Sequence, residues 1–355
     1  MPELPEVETI KNDLKKRILG KKITAVEIRS RKIIKSKPAD FIPEAVPLSG
    51  ADRYIPPLRR IEISKTIGRK AKPLLLKKTF KNSKRFLEAA GCEDAAGVSQ
   101  RNFTRILKGN SFFGLDRIGK LLIFELADRK NFLLIHLKMT GQLIYCGKGE
   151  IIAGGHETDG DKAKIPGVGD KLPGKHTHLI FSFANGARLF FNDLRKFGYA
   201  KIVNGKGLEK IKGEYGIEPL TKEFTLAAFR KVLEGKNAPV KAILLNQNLI
   251  AGIGNIYADE ALFKARIRPS RRAGSLSDKE TEALFKAINN IIKKAIEYRG
   301  TTFSNYVDAS GQKGNFIKLL KVYHREGKKC KRCGGVIKKA RIAGRGTRFC
   351  EKCQK

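Results

Sequence analysis

The sequence predicts a multidomain α+β protein: an N-terminal β-sandwich with a flanking helix, a helical second domain, and a small C-terminal module built on four cysteines. Three observations carry this. From Arg117 short apolar runs follow one another between turn residues, as strands do. Beyond about residue 222 the apolar spacing changes to that of amphipathic helices. Residues 321–355 contain Cys330, Cys333, Cys350 and Cys353 as two CxxC pairs separated by sixteen residues.

Taken in order, residues 5–19 read as a helix, because Val7, Ile10, Leu14 and Ile18 recur at spacings of three and four. Pro5 suits the first turn, Lys15 to Arg17 the last, and Gly20 the stop. A strand follows near 23–28. Residues 34–100 hold six of the chain's 13 prolines, and Lys65 to Arg85 carries nine basic residues and no acid. This stretch reads as an insertion, extended at first, with a short helix in its second half. Strands are expected at 120–126, 131–137 and 141–146, and a long glycine-rich loop at 147–175. THLIFSFANGARLFF reads as two strands around Asn185-Gly186, a strong hairpin signal. Residues 1–205 therefore form the β domain, and 206–222 a connection. Within 223–320 one helix starts after AGIGN (251–255). Another starts at the Ser277/Glu280 capping box, carries Leu284, Ala287, Ile288, Ile291, Ile292 and Ala295 on one stripe, and stops at Gly300.

Charge narrows the partners. Lys plus Arg number 73 against 35 acids, a formal +38. So much positive charge opposes compaction unless a polyanion neutralises it, and nucleic acid is the first expectation. An anionic membrane surface would need a strongly amphipathic basic helix, which is not apparent. A lysine-rich composition without a partner is the bland alternative. No apolar run is long enough to cross a membrane, and no secretory leader is visible, so the expected location is cytoplasmic. In a reducing compartment the CxxC pairs read as a four-thiolate site for one structural zinc, because each pair points two sulfurs at one tetrahedral ion. Redox CxxC motifs would need a βαβ context that this short module lacks.

The opening MPELPEVETI carries the most chemistry. Removal of Met1 leaves Pro2 with a secondary amine whose reference pKa is near 8, well below that of a lysine. Such an amine attacks an aldehyde-like carbon to form an iminium, and Glu3 or Glu6 could move protons beside it. Taken alone, the stretch reads first as a rigid lead-in with Glu6 favouring the helix dipole. Alone, Lys120 is a solvated strand end and Met139 a core methionine.

The motifs in order change that balance. PELPEVET (2–9), DRIGKLLIFEL (116–126), LIHLKMTGQL (134–143), NDLRKFG (192–198), AGIGNIYADEALF (251–263), GTTFSNYV (300–307) and the cysteine module with GRGTRFC (344–350) together resemble the bacterial formamidopyrimidine-DNA glycosylases, which excise 8-oxoguanine and ring-opened purines. The motif resemblance lapses over about 34–100 and 147–172. It implies a helix-two-turn-helix domain in 223–320 and a zinc-finger β-hairpin in 321–355. It implies that Pro2 attacks C1′ of a damaged nucleotide, giving glycosylase and AP lyase activities. Glu3 would open the sugar, Glu6 support it, and Lys120 sit near damage and phosphate. Met139, Arg195 and Phe197 would fill the void left by an extruded base. Lys241 and Asn255 would bind phosphate, Arg345 would hold the damaged strand from the hairpin tip, and Lys331, Arg332 and Arg348 would add phosphate contacts. Leu194 and Lys196 stand where the family commonly has Pro and Arg. The implied partner is duplex DNA bearing oxidised bases, met by a monomer at the nucleoid. Two other readings remain: an endonuclease VIII-like enzyme for oxidised pyrimidines, which usually has Gly where Leu4 stands, and a non-catalytic zinc-ribbon nucleic-acid binder. The opening with Leu4 and the full-length 300–316 segment argue for the purine enzyme, and the Pro2-Glu3 pair argues against a pure binder.

Overall fold

The computed structural model describes residues 2–35, 95–147, 149–155, 172–301 and 315–355. The basic run from Lys65 to Arg85, the short helix expected near it, Cys92, and most of the glycine-rich loop and of the 300–316 segment lie outside the described residues.

The N-terminal half comprises α1 (Leu4–Ile18), β1 (Ile23–Ile28), α2 (Ala95–Leu107), β2 (Phe112–Ile118), β3 (Leu121–Leu126), β4 (Asn131–His136), β5 (Gly141–Gly147), β6 (Glu150–Gly155), β7 (Thr177–Phe183), β8 (Arg188–Asp193) and β9 (Tyr199–Asn204). The strands make two antiparallel sheets, ordered β1-β7-β8-β5-β6 and β2-β3-β4-β9. Alternate residues face inward, so Leu122, Phe124, Leu133 and Ile135 of one sheet share a core with Leu143, Phe181, Leu189 and Phe191 of the other. The intervening residues are apolar too, because the outer faces are also covered. Leu121, Ile123 and Leu134 pack with Val203 and with Leu208 of α3 (Gly205–Lys212). The expected hairpin forms, with Gly186 at φ 81°. β6 lies inside the stretch expected to be loop, and α3 inside the expected connection.

The second half adds α4 (Leu226–Leu233), α5 (Val240–Leu245), α6 (Asn255–Lys264), α7 (Asp278–Glu297), and the hairpin β10 (Ile337–Ile342) and β11 (Arg345–Cys350). The capping box at Ser277 and Glu280 is present in both directions, and all six stripe residues of α7 are buried. α1 joins the halves. Val7, Ile10, Leu14 and Ile18 lie in the sandwich core, whereas Leu4, one turn earlier, lies in the helical core. Residues 2 and 3 are thereby held at the junction of two cores. Arg117 reinforces it, bonding Glu8 of α1 and Glu218 of the connection, both at 2.6 Å. Glu218 also accepts from Gly119 N, beside Lys120.

Candidate active site and nucleic-acid interface

Glu3 is buried, and its neighbours explain why it stays in place. Its carboxylate accepts from Ile256 N (3.0 Å) and Tyr257 N (3.4 Å), free donors in the first turn of α6. A helix N-terminus is an anion site by its free N–H groups and dipole, and this one receives a carboxylate of the chain itself. The approach requires glycine: a Cβ on Gly254 would lie 2.2 Å from Glu3 Cδ. Gly252, at φ 88°, passes equally close to Leu4, whose N–H bonds its carbonyl. Burial raises the Glu3 carboxyl to about 7, with Lys120 opposing and Glu6 adding to the rise. Near neutral pH Glu3 therefore both holds and releases a proton.

Glu6 is fixed from three sides. It accepts from Glu3 N (2.9 Å), Tyr257 Oη (2.6 Å), and both Thr301 N and Thr301 Oγ1 (2.7 and 3.0 Å). Lys120, at the start of β3, is buried rather than solvated and donates to Ile253 O at 2.9 Å. Burial pushes its ammonium below the usual lysine range, while Glu3 and Glu6 hold it up. Pro2 is buried next to Glu3. A cavity of about 660 Å³ opens beside Lys120, lined also by Lys35, His136, Lys138 and Lys201. Burial and the lysines Lys138 and Lys120 drive His136 down to about 3, leaving it a neutral imidazole. Its Nδ1 accepts from Lys138 N.

A second group sits on two loops of the sandwich. Met139, between β4 and β5, is half-buried, so the core reading of this residue fails. Arg195 and Phe197, between β8 and β9, are exposed, with the guanidinium 4.5 Å from the ring centroid. The two loops are locked together through Asp193. Its buried carboxylate accepts from Thr140 Oγ1, Arg195 N (3.2 Å) and Gly198 N (2.7 Å), and Thr140 Oγ1 accepts from Arg195 N (3.1 Å). Lys138 and Lys196 adopt φ of 50° and 56°, the left-handed region that non-glycine residues avoid. The turn forms without the Pro and Arg common in the family, and backbone strain collects on the loops that carry the exposed group.

Two phosphate-binding expectations are corrected, those for Lys241 and Arg348. Lys241 has no exposed surface: its ammonium lies 2.6 Å from Asp259 and 2.7 Å from Thr347 Oγ1. It fastens the zinc hairpin to α6 and cannot reach a phosphate there. Arg348 is buried, pairs with Glu326 and stacks on Tyr323. Arg332 donates to Phe263 O and covers that ring. Asn255 is half-committed, its Nδ2 bonding Gly346 O at 3.0 Å. Arg345 is exposed at the hairpin tip and close enough to lower the Lys120 pKa. Sequence reasoning missed Tyr257, Thr301, Thr140 and Asp193. All four lie inside motifs already singled out, but their partners emerge only on folding.

The ligand atoms of Cys330, Cys333, Cys350 and Cys353 all lie within 4.8 Å of one another. Two sulfur pairs stand at 3.9 and 3.5 Å. That is too long for a disulfide and close to the ~3.8 Å edge of a tetrahedron with metal–sulfur bonds of ~2.3 Å. The residues fit one zinc with a closed coordination sphere.

A two-sheet half, a helical half and a zinc hairpin thus converge on one acidic, lysine-flanked N-terminus, the arrangement of a multidomain DNA-repair fold. The chain matches the model of the formamidopyrimidine-DNA glycosylase N-terminal domain over residues 1–52 and 62–200. It matches the formamidopyrimidine-DNA glycosylase H2TH domain over 215–307 and the zinc finger found in FPG and IleRS over 327–355. The first match runs through much of 34–100 and all of 147–172, where the motifs alone lapse. Formamidopyrimidine-DNA glycosylases of Pelotomaculum thermopropionicum and Carboxydothermus hydrogenoformans are 36% and 37% identical, over all of this chain and 99% and 100% of theirs. Among solved structures, a complex of a Lactococcus lactis FPG mutant with Fapy-dG-containing DNA superposes with a TM-score of 0.70 at 29% identity, covering all of both chains. The Lactococcus lactis Fpg complex with abasic-site DNA gives 0.69 at 29%, covering 99% of each chain. The chain belongs to the formamidopyrimidine-DNA glycosylase family.

Proposed function

We propose that the chain is a base-excision repair enzyme that removes 8-oxoguanine and formamidopyrimidine lesions from duplex DNA and then nicks the strand as an AP lyase. The observation that carries the reading is Glu3: a buried carboxyl titrating near 7, next to Pro2 and flanked by Lys120. Once Met1 is removed, the Pro2 nitrogen attacks C1′ with its lone pair. The bond from C1′ to the base breaks, and the base leaves with that electron pair and takes up the proton that the Pro2 nitrogen gives up. Glu3 protonates the ring oxygen O4′ as the C1′–O4′ bond opens, leaving an iminium between Pro2 and C1′. The iminium acidifies C2′–H. Loss of that proton expels the 3′-phosphate by β-elimination, and water returns the free amine. Glu6, held by Tyr257 and Thr301, fixes the Glu3 backbone N–H and keeps the N-terminus in register. Lys120 and neutral His136 line the adjoining cavity, where a phosphate of the damaged strand would lie.

In this reading Met139, Arg195 and Phe197 fill the duplex after the base leaves the stack, and Arg345 and Asn255 hold the strand from the helical side. Residues 1–205 carry the chemistry, 223–320 grip DNA, and 321–355, with one zinc, aim Arg345. All the proposed roles come from one chain, which supports a monomer acting at the nucleoid. An oxidised-pyrimidine enzyme is the competing reading; Leu4, buried against Gly252, is a core residue here and does not distinguish the two by contact with substrate. Incubation with separate duplexes carrying 8-oxoguanine opposite cytosine and an oxidised pyrimidine tests it. Faster base release and nicking on the first supports the purine assignment. Preference for the second overturns it.

A further inference from the structure

At the far end of α6 from Glu3 lies a second concavity, of about 470 Å³. α6 is ten residues long, so its two ends are ~15 Å apart. The concavity forms where the end of α6, the C-terminal part of α7, the strap at 316–321 and the first cysteine knuckle meet. Its floor is apolar, made by Phe263, Ile291, Phe316 and Leu319. Its rim is cationic: Lys264, Lys294, Lys321, Lys331 and Arg332.

The acid at this place does not neutralise the rim. Glu260 is buried, and its carboxylate accepts from the backbone N–H groups of Lys321, Val322 and Tyr323. Among the described residues no ion pair involves any of the five cations. The Lys264 ammonium is pushed down by burial and by Lys294, as expected where like charges crowd together. A helix C-terminus attracts a cation or two, which accounts for Lys264 and Arg332 at the end of α6 and for Lys294 in the last turn of α7. It does not account for Lys321 of the strap and Lys331 of the zinc knuckle joining them around an apolar floor.

We propose that this concavity is a docking site for an acidic segment of a partner protein, bearing an aromatic or aliphatic side chain that fills the floor while its carboxylates meet the rim. Its volume is that of a site for a compact ligand group. Duplex DNA fits it poorly, because stacked bases offer no free apolar group to enter it. Single-stranded nucleic acid needs an open ring face to stack on, yet Phe263 lies under the Arg332 guanidinium and Phe316 is buried. Since the concavity lies at the other end of α6, such a partner engages the enzyme while lesion DNA occupies the Glu3 cleft.

The test uses the full zinc-loaded chain saturated with an abasic-analogue duplex, so that the DNA cleft is filled. The probe is a short fluorescein-labelled peptide of aspartates and glutamates ending in Leu-Phe, followed by anisotropy. Saturable binding is expected. It should weaken about tenfold when Leu-Phe is replaced by Ser-Ser. It should weaken about as much in the double variant Lys264→Glu, Lys294→Glu, the loss expected of two partly desolvated charge pairs. Both substituted residues are exposed, so excision of an oxidised base by that variant should be unchanged. Equal binding of the Ser-Ser peptide, equal binding by the variant, or displacement of the peptide by excess duplex would overturn the proposal, since each means general attraction of a polyanion. Binding of a single-stranded oligonucleotide at this place in preference to the peptide would overturn it in favour of nucleic acid.

Discussion

Held by two N–H groups of α6 and faced by Lys120 and Glu6, Glu3 keeps its proton up to about pH 7. Its acid form declines as pH rises through that value, whereas the Pro2 amine becomes more nucleophilic over the same range. Base excision should therefore follow a bell-shaped pH profile with its alkaline limb set by Glu3. Replacement Glu3→Gln should lower base excision by roughly 10²–10⁴-fold, the usual range for a lost general acid. An abasic site opens to its aldehyde without loss of a base, by spontaneous ring–chain equilibrium, so the variant should still nick it. Loss of both activities together would show that Glu3 builds the site rather than donating the proton. The Asp193–Thr140 tie makes a second prediction. Thr140→Val removes the hydroxyl that links the Met139 loop to the Arg195 loop. It should slow excision from a duplex more than from a single strand, where no stacked neighbour must be replaced. Equal slowing on both substrates would contradict a positioning role. Pro2, Glu3 and Lys120 were singled out only by the motifs taken in order, since alone the opening reads as a rigid lead-in and Lys120 as a solvated strand end. The true place of Lys241 was not legible: nothing in AGIGNIYADE announces that its Asp259 captures a lysine 18 residues earlier in the chain.

Among the elements, the long apolar strands β3, β4, β5, β7 and β8 and the capped helix α7 were readable from pattern alone. The missed elements have weak patterns for identifiable reasons. β2 contains a bulge between Phe112 and Gly114 that breaks its alternation. β6 ends in two glycines, and α2 includes Gly97 and buries Phe103 and Leu107. The Lys241–Asp259–Thr347 contact is a tertiary clamp between α6 and β11. Burial raises the Asp259 carboxyl to about 6, with Lys241 opposing the rise, and burial lowers the Lys241 ammonium while Asp259 holds it up. Lys241→Ala leaves that carboxylate buried and unpaired, and should cost about 3 kcal/mol or more in chemical unfolding. A cost below about 1 kcal/mol would mean that the ammonium is solvated and free to bind phosphate.

At the scale of the molecule, α1 and the zinc hairpin bring parts remote in sequence onto one site. The hairpin has few apolar contacts of its own: Cys330, Cys350 and Ile337 pack with Phe263 and Val322. Metal binding should supply much of its folding energy. Chelation should release one zinc per chain, open 327–355 to proteolysis and weaken lesion-DNA binding, while the sandwich keeps its strand signal by circular dichroism. Retention of affinity without zinc would remove Arg345 from the interface. In the proposed reading the whole arrangement serves one act, delivery of the Pro2 nitrogen to C1′. The direct test is borohydride trapping on an 8-oxoguanine duplex, followed by peptide mapping of the covalent adduct. An adduct on the N-terminal peptide, at Pro2 with Met1 absent, and its loss when an uncleaved tag precedes Pro2, are the predicted results. Trapping at Lys120 or another lysine, or equal trapping with the tag in place, would contradict the account.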